Sequence, residues 1–380
     1  MKKNSTGWKD REKEKKATAQ PPKAGKKRQQ QITIGLDLGD KSSRYCVLGQ
    51  EGEVLFERST ATTKKGLTHV FAAMARCRIA MEVGTHSPWV SRLLKSFGHE
   101  VIVANARQVK LITQSSRKND KLDAQSLARL ARVDPELLRP IQHRSEEAQQ
   151  HLMTIRVRAA LVEARTALVN SARGLAKAMG ERLPKCDADS LKLERLHELP
   201  AEMQAALKPL LEEVESLTQK IHACDETIEQ IAREKYPETA LLKQVKGVGT
   251  LIALTFVLTL EDPSRFRKSR EVGCYVGMRP KSRDSGESQP QLGISKEGDV
   301  YLRKLLVQGA HYILWLGPDT DLQRWGLQLC ARGGKNAKKR AVVAVARKLG
   351  ILLHVLWVSG AVYEPLRNSK IREAAQRKAA

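Results

Sequence analysis

Four acidic residues stand where metal-assisted phosphoryl chemistry would need them. Asp37 ends the short apolar run Ile32-Thr33-Ile34-Gly35-Leu36-Asp37, and Glu82 ends a second run, Arg78-Ile79-Ala80-Met81-Glu82. Asp120 and Asp123 are three apart in Lys118-Asn119-Asp120-Lys121-Leu122-Asp123-Ala124, whose helical spacing puts both on one helix face. In an α/β sheet, strand ends and an adjacent helix can meet at one edge. Carboxylates gathered there would repel one another unless cations neutralised them, and Mg²⁺ takes oxygen ligands while keeping several waters. Two such ions about 4 Å apart would orient an attacking group and stabilise the leaving oxygen of a phosphodiester. Asp120 and Asp123 taken alone read better as solvated surface charges. Asp37 does not, because a carboxylate inside an apolar strand is costly without a partner. Asp40 rivals Asp37, although Gly39-Asp40-Lys41 reads more easily as a turn.

The elements that must position these acids are legible in outline. Ile32–Leu38, Tyr45–Leu48, Val54–Phe56, Met81 with its neighbours from Arg78 to Val83, and Val101–Val103 read as strands. Thr63–Arg76, Pro88–Phe97 and Asp120–Arg132 read as helices, as does sequence from Lys110 onward. Three opening strands followed by alternating helices and strands predict an α/β domain with a mixed sheet over residues 31–143.

From residue 144 to 240 the pattern is helical. Leu152, Ile155, Ala159, Val162, Thr166 and Val169 step by three and four, as do Leu217, Ile221, Cys224, Ile228 and Ile231. Pro184, Pro200 and Pro209 are expected to break the region between them. A long helical hairpin or dimerisation arm fits this pattern, and so does an ordinary amphipathic layer packed on its neighbours. Residues 241–330 open on Lys246-Gly247-Val248-Gly249, which would allow a helix-hairpin-helix turn with backbone N–H groups on a phosphate. A packing bend between helices would need the same glycines. Residues 331–380 hold a basic cluster, Lys335 to Arg340, followed by an apolar helix and a basic end.

Charge points to a polyanionic partner. The 380 residues carry 67 Lys and Arg against 42 Asp and Glu, a net +25. The first thirty residues hold eleven of those bases against three acids and read as a disordered basic tail, so most of the excess lies in the folded part. Nucleic acid is the first candidate partner, with binding that weakens steeply in salt. Six scattered cysteines form no C-x-x-C pair, which supports neither a zinc ribbon nor a redox motif. The start is hydrophilic, and the apolar stretch Ala341–Val358 is interrupted by Arg347, Lys348 and His354. A cytoplasmic protein without a membrane partner is the expectation.

The order Asp37, Glu82, Asp120, Asp123 resembles the DEDD signature of the RuvC-like domain in a family of bacterial insertion-sequence transposases that also includes the Piv-type invertases. Ile34-Gly35-Leu36-Asp37 and Lys118-x-Asp120-x-x-Asp123-Ala124 carry the likeness, with a looser context around Glu82. Gly277-Met278-Arg279-Pro280, then Ser285-Gly286, then Gly293-Ile294-Ser295-Lys296-Glu297-Gly298 leading into Tyr301-Leu302-Arg303 resembles the same family's C-terminal transposase domain. The resemblance implies a RuvC/RNase H-like domain, a helical connector and a mostly helical C-terminal domain. It places the nucleophile on Ser285, and Ser282, Ser288 and Ser295 are its rivals on residue type alone. It also implies a composite site in which Mg²⁺-binding carboxylates and the serine exchange DNA strands without ATP. Donor and target DNA, a structured guide RNA and a dimer or tetramer are the implied partners. Lys246, Gly247, Gly249, Arg279, Lys281, Arg283, Lys296 and Arg303 are the expected nucleic-acid contacts. A RuvC-like nuclease that hydrolyses DNA with water, or a non-catalytic nucleic-acid-binding protein, would share the charge.

Overall fold

The computed structural model of the chain describes residues 32–105, 120–282 and 292–371, and for 120–122 the backbone alone. The basic tail, the expected helix from Lys110, and Ser285 with Arg283 therefore lie outside the described residues. The chain divides into two compact units, one up to His143 and one from Arg144.

The first unit is built on a five-stranded mixed sheet in the order β3-β2-β1-β4-β5. β1 (Thr33–Asp37), β2 (Ser42–Leu48) and β3 (Val54–Ala61) form an antiparallel meander. The chain then passes through α1 (Lys64–Phe71) to β4 (Arg78–Glu82), which lies parallel to β1, and through α2 (Ser87–Ser96) to β5 (Glu100–Ala104), parallel to β4. This is the mixed α/β arrangement expected of a RuvC-like domain. Side chains alternate across the sheet. Ile34, Leu36, Ile79, Met81 and Val103 join Leu67 and Phe71 of α1 and Val90 and Leu94 of α2 in one core. The opposite face carries Cys46 and Leu48 with Ala124 and Ala128, and Ala80, Ile102 and Ala104 with Leu127 and Ala131. That second face is covered by α3 (Asp120–Val133).

α3 sits unusually close to the sheet because both surfaces are small. A β-carbon on Gly35 would lie 1.9 Å from the carbonyl oxygen of Ala124 and 2.6 Å from the nitrogen of Ala128. The far end of the helix is held by Arg78, whose Nη1 donates to the Ala131 carbonyl at 3.1 Å while Nε donates to Glu100 at 3.0 Å. A guanidinium on the last-turn carbonyls also opposes the negative end of the helix dipole.

The second unit begins with two long helices, α4 (Glu146–Ala178) and α5 (Ala201–Lys235). Ser145 caps α4 by accepting from the Ala148 N–H at 3.1 Å, with Glu146 and Glu147 in the first turn. The pair is antiparallel. Ala148, Leu152 and Ile155 share a core with Ile228 and Ala232, whereas Ala172 and Ala176 meet Leu207 and Leu211. Arg158 forks onto both oxygens of Asp225 between them. Pro209 does not break this region: it lies inside α5. Proline in a helix removes one hydrogen bond and costs about 3 kcal/mol. Leu207 and Leu211 on either side are buried among Leu183, Leu196 and Leu199, and burying a leucine is worth about 2 kcal/mol each. Tertiary packing carries the helix through the proline.

The rest of the unit is a helical cluster of α6 (Glu238–Leu242), α7 (Thr250–Leu260), α8 (Arg270–Tyr275), α9 (Val300–Trp315), α10 (Asp321–Ala331) and α11 (Ala337–Ser359). α7 is buried nearly all round, as its continuous apolar sequence requires. One core runs from Leu242 to Leu356, so residues 331–359 are part of the fold here rather than an appendage to it. α11 is long and apolar enough to cross a membrane, yet Val345, Ala346, Leu349 and Leu353 are fully buried in this core.

Candidate active site

β1 and β4 run side by side and end together. Leu36 pairs with Met81, so the next residues, Asp37 and Glu82, stand level at the carboxyl ends of two parallel strands. By alternation both share the face of Gly35 and Ala80, which is the face α3 covers. Gly35, two residues before Asp37, abuts Ala124, and Ala124 follows Asp123 directly. Three of the four acids are therefore brought to one edge of the sheet by one parallel register and one close helix crossing. Asp120 opens the same helix, and its side chain lies outside the described residues.

Arg44 pairs with Asp37 across the β1–β2 ladder and shares its face. Opposite charges at facing positions attract. The Arg44 Nε is buried without a hydrogen-bond partner among the described residues, so a positive group stands beside the first acid. The donor set fits a hard divalent cation, since Asp37, Glu82 and Asp123 offer only carboxylate oxygens. Among the described residues no three His, Cys, Asp or Glu side chains already close around a point in a metal-holding arrangement.

One contact at this edge escapes a reading of the sequence, between Asp40, the rival of Asp37, and His86. Asp40 follows β1 and His86 follows β4, and the His86 Nε2 lies 3.3 Å from Asp40 Oδ1. The indole N–H of Trp89 donates to His86 Nδ1 at 3.1 Å. With Nδ1 accepting, the neutral ring carries its proton on Nε2 and donates it to Asp40. Next to this pair, the Ser87 hydroxyl donates to the Gly84 carbonyl at 2.8 Å and meets His143 Nε2 at 2.9 Å, closing the loop that follows Glu82. A Gly39-Asp40 turn gives no hint that a histidine 46 positions away will reach it.

In the second unit, the residues that flank Ser285 form a short two-stranded ribbon. Lys281 N–H donates to the Gly293 carbonyl at 3.0 Å, Ser295 N–H to Arg279 at 2.8 Å, and Lys296 N–H to Gly277 at 2.9 Å. Pro280 bridges Ile294. Gly277 has φ +73°, and a β-carbon there would fall 1.8 Å from the Glu297 carbonyl oxygen. Lys296 adopts φ +58°, a left-handed conformation that costs a non-glycine residue energy and recurs at functional sites. Arg279, Lys281 and Lys296 are exposed on this ribbon. Ser282 stands at its end, and Ser295 accepts from the Glu297 N–H at 3.5 Å.

Arg303 has a structural role beside the expected nucleic-acid contact. Its Nη1 donates to the carbonyls of Val276 at 2.8 Å and Glu297 at 2.9 Å, tying the two sides of the ribbon together from α9. Through Nη1 it acts as a strut, while Nε and Nη2 of the same guanidinium are not used by these two bonds. Gly247 likewise has a packing reason. It has φ +96°, and a β-carbon there would sit 2.9 Å from the Tyr312 ring and 3.2 Å from the Gly309 carbonyl. Gly249 caps α7 and faces open space, with Lys246 exposed beside the turn.

Known proteins resemble the chain across both units. A family profile described as transposase, of the DEDD IS110 kind, matches residues 34–179, and one described as transposase of the IS116/IS110/IS902 family matches residues 239–322. A transposase for insertion sequence element IS1111A from Coxiella burnetii is 29% identical over 323 residues, covering 83% of this chain and 86% of the relative. A putative transposase, y4pF/y4sB, from Sinorhizobium fredii is 30% identical, covering 88% of this chain and 86% of the relative. A probable family 20 transposase from Pseudomonas aeruginosa is 28% identical, covering 87% and 98%.

Proposed function

Because this chain belongs to the IS116/IS110/IS902 family of insertion-sequence transposases and is a DNA transposase, we propose that it cuts and rejoins DNA by serine transesterification under the direction of a structured RNA. The observation that supports this most is the level ending of β1 and β4, with Asp37 and Glu82 on the face that α3 presses with Asp123.

In this reading Asp37, Glu82, Asp120 and Asp123 hold Mg²⁺, two ions in all, and the nucleophile is Ser285. When bound, the metal would polarise the scissile phosphate and ease deprotonation of the attacking hydroxyl. Ser285 and the acids act on the same phosphodiester. The Ser285 oxygen attacks phosphorus, one P–O bond forms as the bond to the departing strand breaks, and the serine proton is balanced by one taken up at the departing oxygen. A hydroxyl of a second DNA end then displaces the serine by the same exchange. One phosphoester replaces another at each step, so no ATP is required. Arg279, Lys281 and Arg283 offset negative charge on the phosphoryl oxygens. Lys246, Gly249 and Lys296 contact backbone phosphates. Donor and target strands must be processed together, so the working form is a dimer or tetramer at the chromosome in the cytoplasm. The net charge of +25 fits polyanionic partners of either kind, and the guide RNA follows from the family resemblance.

The test is a denaturing assay for protein covalently linked to DNA, using element ends, flanking RNA, target and Mg²⁺. An adduct formed by the native chain and lost in Ser285→Ala and in Asp123→Ala is the expected result. Cleavage without adduct, indifferent to Ser285→Ala, would leave a metal nuclease acting with water.

A further inference from the structure

The basic run at the start of α11 takes no part in the site above. Lys338 and Lys339 lie in the first turn of that helix and border a cavity of about 490 Å³. α9 supplies Val307, His311 and Trp315 to the same cavity at steps of four, so that one helix face lines it. Val342 forms part of the floor. The walls are thus apolar and aromatic and the mouth is cationic.

Three features indicate what this cavity accepts. Trp315 is 45% exposed, although an indole in water gains nothing for its host unless something packs on it. No carboxylate lines the cavity, and Lys338 and Lys339 make no ion pair among the described residues. The N-cap of α11, Asn336, gives the helix no side-chain hydrogen bond; the Ala337 N–H donates to the Gly334 carbonyl at 3.0 Å, which leaves the N–H groups of Lys338 and Lys339 to an outside acceptor. Aromatic rings beside exposed lysines form the pattern that binds unpaired bases by stacking and their phosphates by charge. The volume is in the range of small-molecule sites, enough for one base and its sugar and too small for a duplex.

We propose that this cavity binds an unpaired base of single-stranded DNA, with the base against Trp315 and His311 and its flanking phosphates on Lys338 and Lys339. DNA is named as the polymer because the chain is a DNA transposase. Binding is read without cleavage, so the inference stands or falls separately from the serine mechanism.

The experiment is fluorescence anisotropy of the full chain with a short labelled oligo(dT) in EDTA, against Trp315→Ala, Trp315→Phe and the double variant Lys338→Ala/Lys339→Ala. Trp315→Ala should weaken binding about tenfold, and Trp315→Phe should recover most of it. The double lysine variant should lower the slope of log affinity against log salt by about 1.4, as two lost single-strand phosphate contacts require. An abasic oligomer should bind the native chain as weakly as oligo(dT) binds Trp315→Ala. Oligo(dT) carrying 5-iodouracil should cross-link to α9. Unchanged affinity in a Trp315→Ala protein of normal melting temperature, equal binding of the abasic oligomer, or cross-links confined elsewhere would overturn the proposal. Tighter, Trp315-dependent binding of oligo(U) RNA would overturn the assignment to DNA.

Discussion

The carbonyl oxygen of Ala124 lies 1.9 Å from where a β-carbon of Gly35 would be, so α3 and β1 meet backbone to backbone. The contact sits two residues from Asp37 and one from Asp123. Gly35→Ala must push the helix outward, and with it the acid it carries. Misplacement of about 1 Å at a reacting centre can cost about 100-fold in rate. Strand cleavage by Gly35→Ala should fall by that order, with a loss of about 1–3 kcal/mol in unfolding free energy from overpacking. Native cleavage rates in this variant would refute the positional role of the contact.

Asp37→Asn and Glu82→Gln should behave differently from Gly35→Ala. Each removes one of the like charges that stand level at this edge, and Asp37→Asn also removes the opposite charge that faces Arg44. Relief of repulsion and loss of favourable partners offset one another, so the melting temperature measured in EDTA should stay within about 5 °C, while metal-dependent cleavage falls by about two to three orders of magnitude. A variant that loses stability and activity in parallel would point to a structural role for these acids.

Arg303 and Lys281 can be separated by salt. Arg303→Ala leaves the carbonyls of Val276 and Glu297 without their shared donor and should cost about 1–3 kcal/mol in stability. Its salt slope for duplex binding should match that of the native chain. Lys281→Ala should leave stability within about 0.5 kcal/mol and lower the slope by about 0.9. Urea unfolding and a salt titration of binding decide both. A reduced slope in Arg303→Ala would keep that residue among the phosphate contacts.

Cys77 offers a prediction in pH. Burial raises its thiol from 9.0 to about 11, and its Sγ lies 3.3 Å from His99 Nδ1. A folded pKa above the unfolded value stabilises the fold fully below about pH 9, and that contribution is lost as pH rises toward 11. Iodoacetamide at pH 8 should therefore label the exposed Cys274 quickly and Cys77, like the buried Cys46, among the last. Cys77→Ser should flatten the decline of stability measured between pH 9 and 11. Early labelling of Cys77 in the folded chain would contradict its burial.

What the sequence discloses depends on whether the deciding contact is local. β1 and β4 are apolar runs that end on carboxylates, and both are recognisable without a structure. β3 is longer than Val54–Phe56 because Glu57, Arg58 and Ser59 pair with β2 at the sheet edge, where no buried alternation marks them. The helix expected over Thr63–Arg76 ends at Phe71, although Thr63 does cap it by accepting from Gly66 N–H at 3.1 Å. Pro209 misleads because leucines far along the chain support its helix. Asp40 and His86 meet only after the sheet has formed, and Arg303 has the residue type of a phosphate ligand while serving two backbone carbonyls.

The parallel register of β1 and β4 has a consequence for the order of assembly. Parallel neighbours need a long crossover, here the whole of β2, β3 and α1. Closing such a loop is slow compared with forming a hairpin. A chain leaving the ribosome holds Asp37 early, gains Glu82 only after the crossover has closed, and receives Asp123 last of the three. On the proposed mechanism, a truncated product that stops short of α3 lacks Asp123 and should leave DNA uncut.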